Sequence, residues 1–266
     1  NSEVPIYAYL TSFFVVSFLA YLSFKYHLLK RIDDKQSSAE AMMSYSKLLR
    51  ISIPLMFAES VQFIMVWIDK LMLGNMTSSH EVGIYFTAFK LSMIASVSLM
   101  AINSIASPKF AEKFVNNDII GLKKVVKQST KMIFWTSVPI VVIFFMFPEY
   151  LLGLFGEEFK IGVTAFIFLS CGRLVSSFSG SVGNILKMTD NQNIFGLLLF
   201  FGAIINICLN LFLIPSNNIL SIYGISGING AAFASMCSLS FWNLAMVFFV
   251  RRKFGFYTFY VPFIKK

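Results

Sequence analysis

The sequence predicts an all-α, polytopic membrane helical bundle, and three observations carry that prediction. Apolar residues make up 57% of the 266-residue chain and charged residues 13%, against roughly 45–50% and about 25% in soluble domains. Mean hydropathy is +0.73. The apolar residues also gather into about seven blocks of spanning length. A helix crossing a bilayer needs roughly 20 mostly apolar residues, because lipid offers the backbone no hydrogen-bond partner.

Taken in order, the expected spans are Pro5–Phe24, Ser52–Leu73, Val82–Ser107, Met132–Phe147, Ile161–Leu186, Ile194–Ile214 and Ile225–Val250. Between the first two lies residues 25–50, the most polar stretch, whose Asp33-Asp34-Lys35-Gln36-Ser37-Ser38 reads as a linker. Residues 51–254 then form a six-helix unit and residues 255–266 a tail. The segment from Pro108 to Thr130 alternates Phe110, Phe114, Leu122, Val125 and Val126 with lysines. That pattern suits either short helices lying on anionic headgroups or a solvated loop. The three cysteines fall inside spans without metal-ligand spacing, and His27 and His80 are isolated in loops, so no metal or other cofactor is expected. The chain opens Asn1-Ser2-Glu3 without a cleavage pattern after the first apolar block, and reads as a piece of something longer.

The formal charge of +9 reflects topology rather than nucleic-acid binding, because the basic residues flank spans and do not line one continuous face. Eighteen Lys and Arg fall in residues 25–50, residues 108–131, Lys187 and residues 251–266, whereas the opposite loops supply only Lys160. Positive residues are retained on the cytoplasmic side. The asymmetry therefore places the C-terminus in the cytoplasm.

Five charged residues remain within spans: Glu59, Asp69, Lys70, Lys90 and Arg173. A charge at bilayer depth costs roughly 2.5–3.5 kcal/mol on insertion scales, so it usually faces a cavity or a partner. Arg173 lies near the middle of its expected span. Ser177, Gly180 and Asn184 follow at helical spacing, which would give one polar face. A guanidinium there suits a phosphate or pyrophosphate through paired hydrogen bonds, or a structural pairing with a neighbouring helix. Lys90, about two turns inside its span, either attracts a ligand or snorkels outward. Glu59 and Asp69 are candidates to carry a coupling proton or Na⁺. Hydration of Glu59 near one interface, with Asp69 and Lys70 marking the other, is the alternative. Asn206 and Asn210, one turn apart, read as interhelical hydrogen-bonding groups.

The order of several segments resembles the polysaccharide or lipid-linked oligosaccharide flippases, O-antigen flippase type, of the multidrug/oligosaccharidyl-lipid/polysaccharide exporter superfamily. The resemblance covers about Tyr45 to Phe254. It rests on Ile53-Pro54 opening a helix that ends Ile68-Asp69-Lys70-Leu71-Met72-Leu73-Gly74, on Val82-Gly83-Ile84-Tyr85, and on Ser107-Pro108-Lys109-Phe110. Leu151 to Phe159, Asn210-Leu211-Phe212-Leu213-Ile214-Pro215 and Tyr223-Gly224-Ile225 continue it in register. The resemblance implies one lobe of a two-lobe alternating-access transporter, with residues 1–24 the last helix of a first lobe otherwise missing here and 25–50 the interlobe linker. It implies a bacterial cytoplasmic membrane and an undecaprenyl-diphosphate-linked glycan as cargo. Arg173 and Lys90 would meet the diphosphate, Ser177 and Asn184 would share the cavity, and Glu59 or Asp69 would couple an ion.

No H-E-x-x-H, G-x-S-x-G or Walker A pattern is present, and the non-basic loops are short. The sequence thus reads as a carrier and not an enzyme. A multidrug or small-molecule antiporter of the same superfamily is the alternative, expected to carry acidic and aromatic cavity residues. A membrane glycan polymerase or glycosyltransferase would require acidic or His pairs and a large loop, and a non-transporting scaffold is a third reading.

Overall fold

The computed structural model describes the backbone of residues 4–32 and 45–260, and the side chains of most of them from Thr11 onward. The linker core, residues 33–44, and residues 261–266 of the tail lie outside the described residues. The chain divides into two compact units, Asn1–Leu48 and Leu49–Lys266. The first unit holds α1 (Val4–Ile32), a 29-residue helix whose described side chains, from Thr11 to Tyr26, are all exposed.

The second unit is built from α2 (Tyr45–Met76), α3 (Ser79–Met93), α4 (Val97–Val115), α5 (Ile119–Met146), α6 (Pro148–Gly153), α7 (Val163–Ser179), α8 (Val182–Met188), α9 (Gln192–Leu213) and α10 (Gly227–Phe254). Six helical segments of this unit are long and apolar enough to cross a membrane: Ser52–Met76, Ser79–Val115, Ile119–Met146, Glu157–Ser179, Gln192–Leu213 and Gly227–Phe254. Phe63, Leu71, Ile105, Phe212 and Phe248 are among many large apolar side chains turned outward. An outward apolar surface of this kind fits hydrocarbon rather than water.

Three expectations change. The segment 108–130 is neither a loop nor a pair of surface helices. Helix α4 runs through Pro108 to Val115, and α5 begins at Ile119 after a three-residue turn. The lysine-aromatic alternation is the helical period of two long helices joined by that turn: Phe110, Leu122 and Val126 are fully buried, while Lys109, Lys123, Lys124 and Lys127 are exposed. Asp118 caps α5 by accepting from the Gly121 N–H at 2.7 Å and pairs with Lys113 at 3.1 Å.

The expected helix Ile161–Leu186 is broken. Helix α7 ends at Ser179, Gly180 adopts φ +68°, and α8 starts at Val182. A Cβ at Gly180 would lie 2.3 Å from Thr130 Oγ1 of α5, so the turn needs glycine for both its dihedral and its contact. Gly180 falls at helical spacing between Arg173 and Asn184, so periodicity alone carries the helix straight through it. The second expected helix of the unit, Val82–Ser107, is likewise interrupted, by a 3₁₀ turn at Ile94–Ser96. Ser137 of α5 donates to the Ala95 carbonyl there at 3.1 Å.

Small residues set the remaining spacings. Helices α9 and α10 approach until a Cβ at Gly230 would sit 2.2 Å from the Leu213 carbonyl oxygen, and Gly227 N–H donates to Ile214 O at 2.9 Å. Gly172 of α7 packs against the Met236 backbone of α10 in the same manner.

Buried apolar side chains form two clusters. One gathers Leu73, Ile84, Phe144, Phe166 and Ile228. The other gathers Phe110, Leu122, Ile185, Leu199 and Val250, toward the basic helix ends. Between the clusters, Gln62 of α2, Asn206 of α9 and Ser235 of α10 bring polar side chains together in an otherwise apolar interior. This polar layer holds the candidate site.

Candidate anion-binding cavity

The cavity in this layer has a volume of ≈ 100 Å³ and is lined by residues from α2, α3, α7, α9 and α10. Its polar contributors are Gln62, Arg173, Asn206, Ser235, Ser238 and Trp242. No carboxylate lines it, and among the described residues no acid pairs with Arg173. The Arg173 guanidinium lies 5.4 Å from the Phe89 ring centroid. Trp242 adds an indole N–H, buried and without a hydrogen-bond partner. An arginine among polar side chains, with no acid lining the cavity, suits an anion.

The structure separates the other residues assigned by sequence. Ser177 is buried within α7 and Asn184 stands half-buried on α8; neither lines the cavity. The break at Gly180 takes Asn184 off the face that carries Arg173, whereas Ser177 stays on α7 one turn from Arg173. Lys90 is exposed on α3 and does not line the cavity, with its ammonium 5.3 Å from the Phe86 ring centroid. Glu59 accepts from Lys187 at 2.5 Å, tying α2 to α8.

Asp69 is buried and fully engaged. Its Oδ2 accepts from the Tyr85 hydroxyl at 2.8 Å and from Ser235 Oγ, and its Oδ1 accepts from Asn210 Nδ2 at 2.7 Å. These bonds fasten α2 to α3, α9 and α10. Asn210 Nδ2 also reaches Asn206 Oδ1 at 3.3 Å, so the pair expected to hydrogen-bond between helices does so through Asp69.

Lys70, read in the sequence together with Asp69 as a candidate marker of a membrane interface, is packed inside the protein. It is 7% exposed, donates to the Val66 carbonyl of its own helix, and lies over three rings: Phe89 at 3.9 Å, Trp67 at 5.1 Å and Phe86 at 5.5 Å. Each cation–π contact contributes about 0.5–2 kcal/mol.

A family model for polysaccharide biosynthesis proteins matches residues 6–164. The chain belongs to the polysaccharide biosynthesis protein family. That match starts in α1, upstream of Tyr45, and covers more than half of the chain. Among curated proteins, the chain is 24% identical over 175 residues to a probable low-salt glycan biosynthesis flippase, Agl15, of Haloferax volcanii, covering 65% of this chain and 35% of that protein. Among solved structures it is similar to a MOP superfamily transporter from Pyrococcus furiosus, at 22% identity and TM-score 0.62, covering 80% of this chain and 46% of that one. It is similar also to an outward-facing multidrug resistance MATE family transporter of the MOP superfamily, at 23% identity and TM-score 0.62, covering 77% and 45%. The polysaccharide biosynthesis chain thus has the fold of MOP superfamily transporters. It spans about a third of the curated relative's length and under half of each solved structure's.

Proposed function

We propose that this chain forms one lobe of a carrier that moves lipid-linked glycan units, joined to their lipid by a diphosphate, across the cytoplasmic membrane. The single observation that carries this reading is the Arg173 cavity, lined by arginine, amide, hydroxyl and indole side chains and by no carboxylate. A cation-exporting antiporter would need negative charge at this place, so the polarity favours an anionic cargo. Membership of the polysaccharide biosynthesis family and the glycan flippase description of Agl15 support a glycan as the group attached to that anion. The glycan head group would cross beside Arg173 while the lipid tail stays in the bilayer.

Residues 1–24 would belong to a preceding lobe, 25–50 to an interlobe linker, and the lysine-rich helix ends would face the cytoplasm. For ion coupling by a proton or Na⁺, the geometry favours Asp69 over Glu59. Asp69 is buried beside the cavity residue Ser235, whereas Glu59 is exposed and already neutralised by Lys187.

The test is glycan export in cells lacking the protein. Loss should leave lipid-linked glycan confined to the inner leaflet, and resupply should restore its appearance outside. Restored resistance to cationic drugs with glycan export unchanged would favour the antiporter instead.

A further inference from the structure

A groove of ≈ 130 Å³ lies between α4 and α5, apart from the Arg173 cavity and sharing no residue with it. Ile102 and Ile105 of α4 and Val125 and Met132 of α5 form its walls, and Lys109 and Gln128 complete the lining. Helix α4 runs toward the turn at residues 116–118 and α5 runs away from it. The lining therefore changes along the groove, from apolar at Ile102 and Met132 to cationic at Lys109. Seven residues of helix separate Ile102 from Lys109, a rise of about 10 Å. We propose that this groove binds one anionic phospholipid of the surrounding leaflet, with an acyl chain against Ile102, Ile105 and Met132 and the phosphate at Lys109 and Gln128.

The apolar end is continuous with the outward surface. Ile105 and Met132 are among the large apolar side chains turned outward, so a hydrocarbon chain enters from the bilayer without passing a polar group. The other end offers charge. Lys109 is exposed, and among the described residues it forms no ion pair. Ser129, which also lines the groove, donates to the Val126 carbonyl of its own helix at 2.9 Å. Residues 109–131 hold six lysines and two acids. Of the acids, Asp118 is taken by Lys113 and the Gly121 N–H, and Glu112 stands one turn beyond Lys109, outside the lining. Lys124 and Lys131 are exposed one turn to either side of Gln128. The mouth of the groove is thus positive, which is what an anionic headgroup meets favourably.

Each end of the groove excludes a different ligand. A soluble phosphate would leave the apolar walls uncovered, and a neutral lipid would leave Lys109 without a partner. An amphiphile carrying a phosphate above a hydrocarbon chain satisfies both ends. Lysine suits the upper position because its methylenes cover apolar surface while its ammonium follows a headgroup that moves.

Trp135 reads the site, because it is exposed on α5 one turn from Met132. The intact protein carrying Trp67→Phe and Trp242→Phe keeps Trp135 as its sole tryptophan. It is placed in vesicles of equal phosphatidylglycerol and phosphatidylcholine, with one or the other lipid brominated in its chains. Quenching of Trp135 should show a preference of about fivefold for phosphatidylglycerol, the ratio expected when one lysine meets an anionic headgroup. Lys109→Gln should remove most of that preference and Lys109→Arg should keep it. Lys123→Gln, on the far side of α5 from Met132, should leave it unchanged. Equal quenching by the two lipids in the protein that retains Lys109 would overturn the site in favour of ordinary surrounding lipid. A preference that survives Lys109→Gln would overturn it in favour of the general basic surface. Inorganic phosphate that displaces the phosphatidylglycerol would overturn the lipid in favour of a soluble anion. The wild-type chain supplies a check free of the tryptophan replacements. In native mass spectrometry it should retain phosphatidylglycerol over phosphatidylcholine more strongly than the Lys109→Gln chain does, and equal retention by the two chains would overturn the site.

Discussion

Asn210 donates to Asp69 across 2.7 Å, although 141 positions separate them in the chain. Tyr85 and Ser235 complete the set of donors. The helix that carries the buried acid is thus fastened to three others by neutral groups. A carboxylate held in this way stabilises the bundle whether or not it also binds an ion.

Asp69→Ala should therefore lower stability sharply. Leaving a buried donor unmet costs about 1–3 kcal/mol, and three donors lose their acceptor at once. Tyr85→Phe, which removes one bond and leaves the acceptor otherwise satisfied, should cost about 1 kcal/mol. Thermal unfolding in detergent with both variants checks the order; an Asp69→Ala protein as stable as wild type would show the network to be dispensable.

Gly180→Ala should destabilise the junction of α7 and α8 by about 1–3 kcal/mol through its positive φ alone, and further through the Thr130 contact. Adding Thr130→Ala should recover part of the loss and not all of it, since the dihedral strain stays. Full recovery in unfolding experiments would mean that the contact, not the backbone, demands glycine.

The pairing of Glu59 with Lys187 is partly exposed, at 55% and 19% of the two side chains, so it should contribute at most about 1 kcal/mol. Reversing either charge alone should weaken the α2–α8 contact, and the double reversal Glu59→Lys with Lys187→Glu should restore it. Export lost in Glu59→Gln while stability is unchanged would instead return this carboxylate to the coupling role.

The turn between α4 and α5 should loosen in acid. The Gly121 N–H first, and then Lys113, hold the Asp118 carboxyl below its ordinary value of 3.8. A group with a lowered folded-state value stabilises above its unfolded value and loses that contribution as pH falls through the folded one. Protection of the Gly121 amide from hydrogen exchange, relative to its intrinsic rate at each pH, should accordingly fall below about pH 4. Asp118→Ala should remove that pH dependence, and an unchanged acid response in the variant would assign it to another group.

Much of this architecture was legible because bilayer depth is written in runs of apolar residues. Arg173 stood out for the same reason, as a charge far from either end of its apolar block. Lys70 did not. It lies three residues from the expected end of its span, where a long stem normally reaches water, and only the packing of Phe86 and Phe89 from α3 over it reveals a buried charge. Ser235, Ser238 and Trp242 share one face of α10, but two serines and a tryptophan in a spanning block equally suit packing between helices. Asn184 was misplaced by a single backbone dihedral, that of Gly180, which no periodicity records.

The central claim is that Arg173 receives the anionic part of the cargo. Its most direct test is flipping of a fluorescent diphosphate-linked glycolipid by the intact protein in vesicles, comparing Arg173→Ala with wild type at matched insertion and stability. The account predicts a loss of about tenfold or more, as expected when a charge-assisted contact is removed. An unchanged rate in the folded variant would contradict it.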